Sequence, residues 1–312
     1  MGNILLRTML SLNEKKLYLA KALDIPFLAF IVLFFSETTY YLLVLQTGIV
    51  EYFHSNLAQI WMIPIGGILG ISLVFSLKNR YNMVLIALIA QSILMFLYPH
   101  FDGLALFLLG LLSGLVAPFM IYQIKSLHQV LATLGLSYIS GTFGILIAPE
   151  NRGFVAVILS ITALVAFLFI KETKRKEDTK TLSNGMFFKI FTWLVLDSVL
   201  FETLSRSSIT IWKNENFVYI IVISHIVGLV LAFVTYKKRY SDVLIISLFV
   251  LSYIFFVFKL QYPLAIVYPV VISYYNVVIL NKFMKLPFEW LILATFSLWT
   301  SAGIGLFISL QI

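Results

Sequence analysis

Long apolar runs broken by short polar interruptions make up nearly the whole chain. The runs show neither the strict alternation of a half-buried strand nor the narrow apolar stripe of a surface helix. Each is close to the ~20 residues that a helix needs to cross the hydrocarbon of a bilayer. Hydropathy predicts about eleven transmembrane helices (10–12), near 22–48, 57–77, 82–99, 103–124, 129–148, 153–170, 187–211, 217–235, 242–259, 263–281 and 289–310. The interruptions carry Asn, Gly, Pro or charge, as in Tyr98-Pro99-His100-Phe101-Asp102-Gly103. One differs from the rest, because Lys171-Glu172-Thr173-Lys174-Arg175-Lys176-Glu177-Asp178 is densely charged. The predicted fold class is therefore an all-α polytopic membrane protein. Residues 1–170 form a six-helix bundle with an amphipathic N-terminal segment, 171–186 a charged cytoplasmic linker, and 187–312 a bundle of about five helices.

Composition agrees with this pattern. The chain is 61% hydrophobic and only 12% charged, against about 25% charged in soluble domains, and its mean hydropathy is +1.00. These values exclude a soluble enzyme, a DNA-binding domain and a disordered tail. With no cysteine, disulfides, thiolate nucleophiles, iron–sulfur clusters and Cys-ligated zinc are excluded too. Of the four histidines, only His225 falls inside an apolar run, which rules out a transmembrane haem held between two histidines. The sequence calls for no cofactor and no metal.

The net charge of +8 reports topology rather than a nucleic-acid partner. With a cytoplasmic N-terminus, 18 Lys and Arg residues fall in loops on that side and only Arg152, Lys213 and Lys259 on the other. The expected location is the plasma (cytoplasmic) membrane, multi-pass, with lipids as neighbours. Eleven spans place the C-terminus on the far side. The first sixteen residues are too weakly apolar for a cleaved signal and read as a short amphipathic segment on the cytoplasmic surface. Leu6 stands where a myristoylation motif needs Ser or Thr.

Three segments of the first half reappear in the second. Ser76-Leu77-Lys78-Asn79-Arg80-Tyr81 parallels Thr235-Tyr236-Lys237-Lys238-Arg239-Tyr240 at an offset of 159. Glu37-Thr38 meets Glu202-Thr203 at 165, and Ser140 and Gly144 meet Ser301 and Gly305 at 161. This arrangement resembles the major facilitator superfamily of secondary transporters, which has two six-helix halves joined by a charged cytoplasmic loop. The resemblance runs from about residue 17 to the end. Of the family's G-x-x-x-D-R-x-G-R-R pattern between its second and third helices, only basic character survives here, at Lys78 and Arg80. No counterpart of the family's twelfth helix is evident. The resemblance implies a divergent, shortened member: two bundles related by a pseudo-two-fold repeat that rock about a site near mid-membrane.

Ionisable groups inside apolar runs cost ~2.5–3.5 kcal/mol each on insertion scales and mark functional positions by default. Glu37 lies in the first run among Ser36, Thr38, Thr39, Tyr40 and Tyr41. It reads either as a proton-coupling or cation-binding carboxyl, or as a protonated acid that ties two helices together. The seventh run holds Asp197, Glu202 and Arg206. Glu202 and Arg206 are one turn apart and can pair, as a structural bridge or as part of an anion site. Asp197 lies ~140° around the helix from Glu202, so the two carboxyls are expected to face apart, with Glu202 and Arg206 toward the cavity. His225 reads as a proton relay or as a neutral interhelical hydrogen bonder. Thr38, Tyr41, Gln59, Gln91, Gln123, Asn276 and Trp299 are candidate cavity-lining residues, or polar links between helices.

The function these features support best is a secondary active transporter for a small molecule or ion, coupled through Glu37. A non-transporting relative of the same architecture (a lipid scramblase, receptor or assembly partner) is the alternative. A membrane enzyme is disfavoured, because the sequence has no D-x-x-x-D, D-D-x-x-D or H-E-x-x-H pattern to hold a metal on a phosphate. No signature of an oligomeric state is present.

Overall fold

The computed structural model describes residues 25–49, 57–76, 79–170, 183–207, 209, 211–309 and 311. The N-terminal amphipathic segment, Lys78 and most of the charged linker lie outside them. Among the described residues there is no strand, and eleven helices account for the eleven predicted runs. They are α1 (Ile25–Tyr40), α2 (Met62–Val74), α3 (Arg80–Leu94), α4 (Gly103–Gln123), α5 (Leu127–Ile145), α6 (Arg152–Leu168), α7 (Asn184–Arg206), α8 (Val218–Thr235), α9 (Ser241–Val257), α10 (Gln261–Phe283) and α11 (Phe288–Ser309). A π-helical segment, Tyr41–Gly48, continues α1, and a single turn, Leu57–Ile60, leads into α2.

Four of the polar breaks start the helix that follows by ordinary capping. Asn79, Asp102, Ser126 and Ser183 each accept a hydrogen bond from a backbone N–H in the first turn of the helix that follows. Seven of the described helical stretches are long and apolar enough to cross a membrane by themselves. Helices α2 and α9 are apolar but shorter. Helices α5 and α7 carry polar side chains to the interior, as shown below. Outer faces are apolar: Ile86, Ile93, Phe96, Phe154 and Val234 are all more than half exposed. In water such a belt would drive aggregation, whereas in lipid it costs nothing. The chain is a multi-pass helical membrane protein.

Small residues set the closest packing. Helix α2 carries Gly66 and Gly70, and α4 carries Gly110 and Gly114, a small-xxx-small pair on each. A methyl group added at Gly66 would strike the Phe107 carbonyl, and one at Gly110 would strike that of Ile63. The two backbones therefore touch directly. Gly228 allows the same approach of α8 to the Val270 carbonyl on α10. Further packing pairs α1 with α5 and α6, α7 with α11, α3 with α4 and α6, and α9 with α10. Contacts between the first six helices and the last five run chiefly along α2 with α11 and α5 with α8.

Arg152 departs from the expectation of an exposed loop cation. It begins α6 with 1% of its surface exposed. Its guanidinium donates to the carbonyls of Ile145 and Ile147 at 2.7 and 2.9 Å and to Thr47 Oγ1 at 3.0 Å. It thus caps the C-terminal carbonyls of α5, a favourable place for a cation, and ties them to the π-helical end of α1.

Helix direction alternates through the bundle. Tyr81 stacks on Phe167, Tyr122 meets Phe288 and His128 meets Phe233 at one face. Trp61 meets Phe307 and Phe143 meets Tyr219 at the other. The first is a basic face, with Arg80, Lys125, Lys189, Lys237, Lys238, Arg239, Lys282 and Lys285 at the helix ends there. Replacing Gly110 by Leu should prevent assembly of the α2–α4 pair, so that no monodisperse protein is recovered in detergent. Gly103→Ala, whose added methyl meets only Met62 Cγ at 3.9 Å, should melt like the parent in a thermal unfolding assay.

Candidate functional site

A cavity of about 370 Å³ lies at the centre of the bundle. Its wall is built from α1, α2, α4, α5, α7, α8, α10 and α11. Helices α1, α5, α7 and α11 contribute residues from Phe34, Leu134, Leu194 and Leu298 onward, which are their halves away from the basic face. The wall continues to Gln46, Ile60, Ile145 and Leu306 near the opposite face. Helices α4 and α10 carry lining residues as far as Ile121 and Leu280. At the basic face, the Arg80 guanidinium lies 3.8 Å over the Phe288 ring. Tyr122 stands edge-on to the same ring at 5.0 Å.

Glu37 lines this cavity with 4% exposure. Gln91, fully buried on α3, donates from Nε2 to both Glu37 carboxyl oxygens at 3.0 Å each. Gln91 is therefore not a wall residue; it backs the acid from behind. Its own Oε1 is buried with no hydrogen-bond partner. One residue past Tyr40, α1 widens into the π-helical segment, which carries Tyr41, Leu42, Leu45 and Gln46 along the wall. Such widened turns occur often at functional sites.

The expectation that Asp197 and Glu202 face apart is corrected. Both line the cavity, because the space wraps around the inner side of α7 over more than the ~140° that separates them. Asp197 is held by two hydroxyls from α10: Tyr275 donates to Oδ2 at 2.6 Å and Tyr268 to Oδ1 at 2.9 Å. Glu202 is 5% exposed. Arg206 ends α7, and its side chain lies outside the described residues.

His225 on α8 also lines the wall. Its Nδ1 is 2.7 Å from Ser273 Oγ on α10, and its ring stacks flat on Tyr138 of α5, with centroids 4.2 Å apart and planes 8° apart. Asn276 donates to the Tyr138 hydroxyl at 3.0 Å. Tyr138 thus joins α5 to both α8 and α10 at mid-height. Sequence reasoning missed it, although the polar stretch Ser137-Tyr138-Ile139-Ser140 was a usable sign. Thr38, Tyr41, Asn276 and Trp299 line the cavity, whereas Gln59 and Gln123 do not. Tyr274, next to Tyr275, turns away to hydrogen-bond Thr235 and Ser241. Trp299 stands edge-on to Tyr41 at 5.7 Å and lies flat against Gly67, where any Cβ would collide with it. Among the described residues, no group of His, Asp and Glu is placed to hold a metal.

No family model and no curated protein matches this sequence. Among solved structures, the crystal structure of a major facilitator superfamily transporter, FucP, in the outward conformation is similar over 92% of this chain and 91% of that one. The TM-score is 0.57 at 11% sequence identity. This chain has the major facilitator superfamily fold. A likeness at that identity concerns backbone arrangement, so the chemistry of the cavity has to be read from its own residues. In this fold the cavity lies among α1, α2, α4, α5, α7, α8, α10 and α11, and Glu37 and Asp197 enter it from α1 and α7.

The two tyrosines fix the Asp197 carboxyl, and hydrogen bonds to such a group are worth ~1.5–3 kcal/mol. Tyr275→Phe should therefore lower stability by about 2 kcal/mol, read as a reduced melting temperature in detergent. An unchanged melting temperature would show that Asp197 does not depend on that hydroxyl.

Proposed function

We propose that the protein is a secondary active transporter that moves a small solute across the cytoplasmic membrane by alternating access, with Glu37 as the proton-coupling group. The single observation that carries this reading is the central cavity with a carboxyl from α1 and two from α7 on its wall. A hydrocarbon-embedded bundle keeps such costly groups on an interior cavity when they serve a ligand or ion path. The transporter fold of the similar structure supports the same conclusion.

In this reading the basic face is cytoplasmic, following the loop charges. Residues 1–170 and 187–312 act as two bundles related by a pseudo-two-fold repeat, joined by the charged linker. Recurrent packing supports that division: α2 on α4 matches α8 on α10, and α1 on α5 matches α7 on α11. The Arg80–Phe288–Tyr122 contact closes the cytoplasmic end, while the wall reaches toward the outside. Rocking must separate Phe288 from Arg80 and Tyr122 and close the rest of the outer end about the existing Trp61–Phe307 contact.

Glu37 is suited to coupling because Gln91 can serve both of its protonation states. The carboxylate accepts from Nε2 as observed. A protonated Glu37 instead presents an O–H, which the unpartnered Gln91 Oε1 accepts after the amide turns over. Solute binding has to prefer one protonation state, since a ligand indifferent to both shifts nothing.

The test is uptake into proteoliposomes with an imposed pH gradient, from a mixture of small solutes read by mass spectrometry. The parent should concentrate at least one solute inside, and Glu37→Gln should only equilibrate that solute. Failure of the parent to concentrate any solute, or undiminished accumulation by Glu37→Gln, would overturn the proposal.

A further inference from the structure

Glu37 and Asp197 bring carboxyl groups to the cavity wall, which has no Lys or Arg among its lining residues with described side chains. Carboxyls alone do not define a ligand, but two further features do. First, several wall hydroxyls are already committed to their own surroundings. Thr38 donates to the Phe34 carbonyl, Ser137 to that of Thr133, Thr142 to that of Tyr138 and Ser198 to that of Ala302. Asn276 is likewise committed, to the Tyr138 hydroxyl and the Ile272 carbonyl, which leaves the Gln46 amide to meet a polyhydroxylated solute. Second, two buried polar atoms on the wall have no partner: Ser113 Oγ on α4 and Trp212 Nε1 ahead of α8. Both residues are at least nine-tenths buried. An orphaned polar atom in such a place costs ~1–3 kcal/mol, which a ligand can recover. Ser113 offers an acceptor, and Trp212 offers a donor.

Apart from Gln46, His225 and Asn276, the remainder of the wall is apolar and aromatic. Tyr41 and Trp299 form an edge-on pair, and Phe201 and Trp212 pack at 5.6 Å. Aromatic faces attract organic cations, most strongly where water is excluded. Buried carboxylates gain from a neutralising charge beside them. A volume of about 370 Å³ falls at the lower end of small-molecule sites.

We infer that the cavity's ligand is a protonated organic amine with an aromatic or compact apolar body and one hydrogen-bond acceptor. The ammonium lies among the carboxyls with Ser113 as an acceptor, the body meets the aromatic wall, and the acceptor takes the Trp212 N–H. This deepens the transporter reading by naming its substrate class, and it rests on that reading for the word substrate.

The experiment is equilibrium binding to the full chain in lipid nanodiscs, with tyramine as probe. The comparison compounds are 4-hydroxyphenylethanol and 4-hydroxyphenylacetate, which keep the ring and hydroxyl and change only the charge of the arm. Tyramine should bind at least tenfold tighter than the neutral alcohol, and the acid should not bind. Asp197→Asn should bring tyramine to the level of the alcohol in the same variant. Glu37→Gln, the second variant, should reduce the preference in the same direction. Absence of tyramine binding, an acid that binds as tightly as the amine, or a full amine preference in both variants would overturn the inference. Nanodisc binding needs no transport, so the two readings fail separately. Amine selectivity without gradient-driven accumulation would remove only the transporter, and accumulation of an acid or a sugar would remove only the amine.

Discussion

Hydrocarbon offers no hydrogen bonds, so every polar group that this chain carries into the bilayer must find its partner inside the protein. That constraint organises the molecule. Backbone groups are satisfied within helices, and the starts of four of them by capping side chains. Arg152, a full charge near the end of α5, is spent on two carbonyls and a threonine hydroxyl. Glu37 is backed by Gln91, and Asp197 by two tyrosines. Among the buried polar atoms left without a partner, Ser113 Oγ and Trp212 Nε1 lie on the cavity wall and Gln91 Oε1 lies behind Glu37.

Close backbone contact makes that space possible. Glycines let α2 lie against α4, and α8 against α10, without side chains between them. The packed pairs form rigid walls, and the bulkier, more polar α1, α5, α7 and α11 stand between them. Gly67 continues the theme at the line where α2 meets α11, since only a residue without Cβ leaves room for Trp299. Tightly packed elements of this kind resist deformation.

Much of the fold was legible in the sequence because hydropathy and capping residues are local signals. The run predicted at 103–124 is the helix Gly103–Gln123, and Asp102 caps it. Glu37 stood out as an acid in an apolar run, and it lines the cavity. What escaped depends on tertiary arrangement. Asp197 and Glu202 share a cavity although they project from different sides of α7, because neighbouring helices curve the space around that helix. Arg152 looks like a loop cation until the end of α5 is placed beside it. The π-helical widening after Tyr40 has no sequence signature, yet it sets where Tyr41 and Gln46 lie. Tyr138 is one of 16 tyrosines, and its stack on His225 and its bond from Asn276 set it apart once the helices are packed. Gln59, equally polar and equally intramembrane by hydropathy, has no place on the cavity wall.

The central claim is that one cavity serves both sides of the membrane in turn. The absence of cysteine from the sequence allows a direct test at Thr38, beside Glu37 on the wall. A single Thr38→Cys substitution should react with a membrane-impermeant maleimide in intact cells and, independently, in inverted vesicles. Labelling from both sides is the predicted result. Labelling from one side only, with the Phe288→Ala variant unable to extend it to the other, would contradict alternating access.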